Sequence, residues 1–182
     1  MKKHNLSPSS AERWTNCLYS AYYEKDAPYE SSPAAERGTA LHTAGAEVLK
    51  QTLAAVYPET RLVAPRQKSE EKEAFGILDM DDLQLCATYA DTVVQALEYL
   101  ARTDGSPFAL FIEQRVEQPP VVGIVDFYAL LGDPLHPTAL VIDLKTGDFP
   151  VHAHENHQLL TYAMCIPAAK YYGMIIQPGA LD

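Results

Sequence analysis

The chain has 182 residues, enough for one domain with a substantial core, and no apolar run reaches the roughly 20 residues that would span a bilayer. Its net charge of −10 speaks against a protein that coats nucleic acid through a general basic surface, though not against an enzyme that binds DNA locally. Three widely spaced cysteines, Cys17, Cys86 and Cys165, and an N-terminus with no apolar stretch behind Lys2-Lys3 fit a reducing, cytoplasmic setting rather than a disulfide framework or a secreted protein.

Ser7-Pro8-Ser9-Ser10 reads as a helix start, and the spacing predicts one helix carrying Trp14, Cys17, Leu18 and Ala21 on a single face. A polar loop over Lys25–Pro33 follows, then a second helix over Ala34–Tyr57, capped near Ser32-Pro33 and stopped by Pro58. That helix carries Gly38 and His42 one turn apart. Residues 59–76 lack periodicity and read as a loop; the acidic cluster Glu70, Glu71, Glu73, Asp79, Asp81 and Asp82 reads as a solvated loop and helix start. Asp79–Arg102 is the clearest helix, with apolar residues at Leu83, Cys86, Ala90, Val93, Val94 and Leu97.

From there the period changes to two. Phe108–Val116, Val121–Leu131 and Thr138–Leu144 read as strands of an antiparallel meander, joined by Pro119-Pro120 and by the turn 132–137. Val151–Ile166 is predicted as a helix and Tyr171–Ile176 as a last strand. The expected fold is therefore α/β, a central mixed sheet of a meander plus a crossover strand, flanked by helices. It is expected as one domain, with residues 1–105 helical and 106–182 forming the sheet core.

Three constellations could carry chemistry. Asp126 and Asp143 each sit in an apolar strand, where a charge is costly unless it is paired or binds a metal. Lys145 follows Asp143 by two residues and so shares its face. Paired carboxylates are the hard ligands that Mg²⁺ and Mn²⁺ prefer, but a cross-strand Asp–Lys ion pair accounts for the same three residues. His42 by itself reads as a core or surface histidine more often than as a ligand. Gln158 and Tyr162, at i and i+4, share one helix face, as an amphipathic edge also would. The run His152-Ala153-His154-Glu155-Asn156-His157 superficially resembles a zinc site, yet no histidine follows His157 to complete one, and a solvated helix start explains it better.

In combination, GTALH, GIVDF, VIDLK and QLLTY, in this order and on these elements, resemble the PD-(D/E)XK nuclease superfamily, and within it the RecB-like branch that includes lambda-exonuclease-like enzymes. SPSSAERWTNC, FIEQRVE and IIQP extend the likeness to an uncharacterised phage and prophage family assigned to that group. The resemblance implies a restriction-endonuclease-like core and a metal-dependent DNA nuclease, an exonuclease processing ends in recombination or repair. It implies that His42, Asp126, Asp143 and the carbonyl of Leu144 ligate Mg²⁺ or Mn²⁺, and that Lys145 assists the attacking water. Gln158 and Tyr162 would position DNA or the site, and Glu113 or Glu117 would face it with lower weight. DNA, gripped through its phosphates, is the expected partner, alongside a second copy of the chain or a recombination protein. Some relatives carry an iron–sulfur cluster on four cysteines; with Cys17 read as a small buried residue and only Cys165 downstream of Lys145, none is expected here. The phage relatives continue beyond the IIQP strand, so DNA-binding parts could lie outside these residues. A nuclease-fold binding protein, inhibitory or DNA-mimicking, is the alternative that the acidic charge suits.

Overall fold

The computed structural model describes residues 6–24, 32–65 and 75–179. The antiparallel meander and the parallel crossover strand expected from the sequence join in one five-stranded sheet ordered β1-β2-β3-β4-β5. Its strands are β1 Arg61–Val63, β2 Pro107–Gln118, β3 Val121–Leu131, β4 Thr138–Leu144 and β5 Lys170–Ile176. β2, β3 and β4 pair antiparallel, while β1 joins β2 and β5 joins β4 in parallel. The mixed α/β architecture expected from the residues is the one observed.

Helices cover both faces. On one lie α3 (Pro33–Val56) and α4 (Met80–Asp104). Ser32 caps α3, with Pro33 in its first turn, and Asp79 caps α4 in a reciprocal box with Asp82. Leu49 and Leu53 of α3 and Tyr89, Val93 and Leu97 of α4 recur at helical spacing and bury against Leu110, Ile112, Phe127, Leu140 and Ile142. Each fully buried leucine there contributes about 1.5–3 kcal/mol. On the other face α5 (His157–Cys165) presses Leu159 and Tyr162 onto Val125, Ala139 and Val141. The all-buried strand β4 is sandwiched between both layers, hence its unbroken apolar run.

Several expectations are corrected. The first helix is broken at Cys17, whose extended backbone (φ −149°, ψ 100°) separates α1 (Ala11–Asn16) from α2 (Leu18–Glu24). Cys17 is exposed rather than buried, and so is Leu18, while Trp14 and Ala21 of the predicted stripe are half-buried, because the break at Cys17 splits that stripe between two short helices. Residues 61–63, read as loop, form β1; three residues are too few to show a period, and pairing to Ala109–Phe111 supplies what local pattern lacks. The sheet thus draws a strand from the part expected to be helical. Residues 151–156 do not continue α5, which begins only at the Asn156 cap. In the acidic cluster, Asp82 is buried, accepting from the Asp79 N–H and from Arg37; Glu70, Glu71 and Glu73, like most of the 25–33 loop, lie outside the described residues. Leu83 points to solvent, and Tyr89 takes the buried position on α4.

One irregularity positions the site. In β2, Leu110 and Ile112 face α3 and α4, yet Val116, of the same parity, faces α5. In β3, Phe127 and Ala129 face α3 and α4 while Val125 faces α5. Both strands reverse their faces at one level, between the pairs Ile112↔Phe127 and Gln114↔Val125, which puts Glu113 opposite Asp126. Glu113 adopts φ +47°, a left-handed conformation that a non-glycine residue takes only where its surroundings impose it. The reversal turns an acid from each strand out of the regular alternation.

Candidate active site

The site forms where β3 and β4 separate. Their ladder ends at Phe127↔Ile142, and one step further come Asp126 and Asp143. The backbone N–H of Leu144 donates to Asp126 Oδ2 at 2.7 Å, tying the two strand ends together through the carboxylate itself. The other oxygen, Oδ1, lies 3.3 Å from His42 Nδ1, brought in by α3. Gly38, one turn earlier, lets α3 come close to the β4 end: a Cβ there would stand 3.2 Å from Thr146 Oγ1.

Asp143 and Lys145 are in contact, with Nζ 2.8 Å from Oδ2. That oxygen is buried and receives no hydrogen bond, since the ammonium meets it as an ion pair outside hydrogen-bond geometry. Gln158 of α5 completes the arrangement. Its Nε2 donates to Asp143 Oδ1 at 2.6 Å, and its Oε1 accepts from Lys145 at 2.8 Å. Its Nε2 also lies 3.2 Å from the Tyr162 hydroxyl, which in turn donates to the Ile124 carbonyl at 2.6 Å. The i, i+4 pair on α5 is therefore one relay from the β3 backbone to the Asp143 carboxylate, not an amphipathic edge.

Electrostatics follow from the crowding. Burial, and then the charge of Asp126, push the Asp143 carboxyl up to about 6 against the pull of Lys145 and His42. For His42, burial alone would lower the imidazole, but its hydrogen bond to Asp126 and the charges of Asp126, Glu113 and Asp143 outweigh it and raise it. Burial, followed by the same acids, raises the hydroxyl of Tyr89 beneath the site, as burial does for Tyr162.

His42, Glu113 and Asp126 offer ligand atoms all within 4.8 Å of one another. This trio differs from the expected set by including Glu113, while Asp143 stands beside it, held by Lys145 and Gln158. Imidazole plus carboxylates, and a buried Asp143 oxygen lacking a hydrogen bond, form a donor set that fits Mg²⁺ or Mn²⁺. Glu117 does not join it; that side chain is exposed and paired with Arg115 at 2.8 Å. Nor does the histidine run: His152 and His154 are exposed, and His157 Nδ1 lies 3.0 Å from Thr15 Oγ1.

His42, Asp126, Asp143, Lys145, Gln158 and Tyr162 line an open cleft of about 470 Å³ roofed by Ser7, Pro8 and Ser9. The roof is held because Leu6 pairs with the start of β3 through bonds to Pro120 and Val122, and because Trp14 Nε1 donates to the Ser7 carbonyl. The N-terminal segment gives no catalytic signal of its own in the sequence, being only polar and capping. Gly123 permits its approach: a Cβ at that position would lie 2.6 Å from the Pro8 ring.

Residues 4–177 match the family described as "Protein of unknown function (DUF2800)". That span includes the roof, His42, both strands that line the cleft and the Gln158–Tyr162 relay, and the chain belongs to this family.

Proposed function

We propose that the protein is a metal-dependent DNA nuclease that hydrolyses phosphodiester bonds, with an exonuclease role at DNA ends as the form favoured by the RecB-like resemblance. The observation that carries this reading is the buried Asp143 carboxylate, raised to about 6 and wedged between Asp126 and Lys145 at the head of an open cleft. A site concerned only with stability would not bury two carboxylates side by side against a single lysine in this way.

His42 and Asp126, with Asp143 or Glu113, would hold Mg²⁺ or Mn²⁺. When bound, such an ion supplies Lewis-acid polarisation of a phosphoryl oxygen and a lowered pKa for coordinated water. Lys145 contributes a fixed ammonium, oriented by Gln158, where charge develops on the phosphate. Tyr162 holds Gln158 in place, and Leu144 N–H holds Asp126, so each reacting group has a second partner that fixes its direction. A non-catalytic binding role would suit the net charge of −10 but leaves the Asp143 burial unexplained.

The test is incubation of the purified protein with linear and circular duplex DNA and Mn²⁺, beside Asp143→Ala and Lys145→Ala. Cleavage that both substitutions abolish supports the assignment, and loss of linear but not circular duplex marks an exonuclease. No cleavage of any DNA, or cleavage that survives both changes, overturns it.

A further inference from the structure

Between Lys145 and α5 the chain makes a loop whose first residues, Thr146 and Gly147, line the cleft. Gln177, just beyond β5, commits its whole side-chain amide to that loop. Its Nε2 donates to the carbonyls of Gly147 and Phe149, the latter at 2.8 Å, and its Oε1 accepts from the Val151 N–H at 3.0 Å. The amide thus fixes main-chain groups before, at and after Phe149, and Pro150 restricts the backbone between them. Despite this bracing, the Phe149 side chain is 88% exposed. A loosely held loop could fold such a ring onto the protein; here the main chain is pinned and the ring stands in water, at a cost proportional to the apolar area left exposed. Phe149 lies two residues past Gly147, so its Cα is within about 7.6 Å of a cleft residue.

We infer that the Gln177-braced loop presents Phe149 as a stacking platform for one nucleobase of the strand whose phosphate occupies the cleft. This rests on the nuclease reading. A phenyl ring has no hydrogen-bonding group, so it grips the face of any base without choosing a sequence. Stacking is also independent of the protein's charge, and a chain of net charge −10 gains little grip on a strand from its overall field. The occupant is an unpaired base, since a base within a duplex already has both faces covered.

The experiment uses the full chain and a single-stranded oligonucleotide. With Mn²⁺, Phe149→Ala should raise KM about tenfold and leave kcat within about twofold, while Phe149→Trp restores KM. One abasic nucleotide, scanned along the substrate, should reproduce that loss for the native protein at one position and have no further effect on Phe149→Ala. Gln177→Ala should lose affinity to the same extent although the ring is kept, with thermal melting checking that both variants fold. A 2-aminopurine probe at the abasic-sensitive position, or placed in turn at each position, should change fluorescence on binding the native protein but not Phe149→Ala. This last measurement does not depend on turnover. If the native protein cleaves nothing, the nuclease reading fails, and the probe alone decides for or against stacking. If it cleaves and Phe149→Ala has native KM and probe response, stacking is overturned and the nuclease reading stands.

Discussion

At its first residue, Thr138, β4 meets the end of α4, and Thr138 Oγ1 donates to Asp104; at its other end it carries Asp143 into the cleft. Both carboxylates join helix to sheet, and both contact a lysine at 2.8 Å. Their environments pull in opposite directions. Asp104 also accepts from Lys170, Thr103 and Tyr172, and the bonds from Lys170 first, then Thr103 and Thr138, hold its carboxyl down to about 2. Asp143 has one oxygen without a hydrogen bond, and burial beside Asp126 raises it to about 6. The lesson is that an ion pair does not by itself mark stabilisation. Where every lone pair is met the acid fastens the fold; where one is not, the fold tolerates the acid for something else.

The comparison breaks first at activity. Asp143→Asn is expected to lower Mn²⁺-dependent cleavage on the order of a thousandfold or more, since it removes a charge from the metal and phosphate site. Asp104→Asn should cleave at the native rate per folded molecule. In metal-free protein the order reverses. Because the folded-state pKa of Asp143 lies above its unfolded value of 3.8, the protonated acid is favoured by folding. Its ionisation therefore costs stability as pH rises through about 6, and protein at pH 5 should melt higher than protein at pH 7 as far as this group is concerned. Asp143→Asn should remove that slope and match or exceed the native melting temperature at pH 7. A marked loss of stability in this variant, read by calorimetry, would mean that Asp143 is a structural acid like Asp104.

Metal sharpens the contrast next. Mn²⁺ at about 100 times its Kd should stabilise the protein by about 2.7 kcal/mol, or about 5–10 °C for a chain of this size. His42→Ala and Asp126→Asn should each cut that shift by more than half. Asp104→Asn should retain it in full, since Asp104 lies at the opposite end of β4 from the cleft and is already paired with Lys170.

How much of this contrast could be seen beforehand follows from which signals are local. β3 and β4 were legible to the residue, because each is a buried apolar run bounded by Pro119-Pro120, Gly132 or Lys145. The cap Ser32 was legible for the same reason, since a cap acts within one turn, and Asp79 was placed at the start of its helix, where the structure makes it the cap. Asp126, Asp143 and Lys145 stood out as charges where apolar residues were expected, and the structure brings them together with His42, Gln158 and Tyr162. Glu113 carried only a weak signal, since its place depends on a left-handed backbone that reverses the faces of two strands at once. The buried Asp82 and the exposed Cys17 were misread because burial there is decided outside the local pattern, by Arg37 across from Asp82 and by the helix break at Cys17 itself. The Asp104 anchor escaped notice altogether; its partners Thr138, Lys170 and Tyr172 lie 34 to 68 residues away in sequence.

A backbone change at the anchoring end should then cost stability without touching chemistry. Gly132 sits at φ +78°, where a Cβ would stand 2.3 Å from the Asp104 carbonyl oxygen, and Gly105, at φ +91°, faces it closely. Two residues lacking a Cβ are what allow the α4 end to reach the β3–β4 turn. Gly132→Ala combines left-handed strain with a clash against main chain, so a loss of about 2–4 kcal/mol is expected in chemical denaturation. Metal-dependent cleavage by the remaining folded protein should be unchanged.

The smallest effect expected is the acid limb of the anchor. The pKa of Asp104 is lower in the folded chain than its unfolded value, so the stability it contributes is complete above about pH 4 and is lost as pH falls toward 2. In that window native protein should lose stability faster than Asp104→Asn, and the two melting curves should converge at the acid end. Lys170 cannot supply the effect alone: its ammonium, raised further by the bond it donates to Asp104, stays charged throughout the window. Equal acid slopes for the two proteins would show that Thr138, Tyr172 and Lys170 hold the β4–β5 end equally well without a charged acceptor. The two ends of β4 would then differ in function but not in how their charge is used.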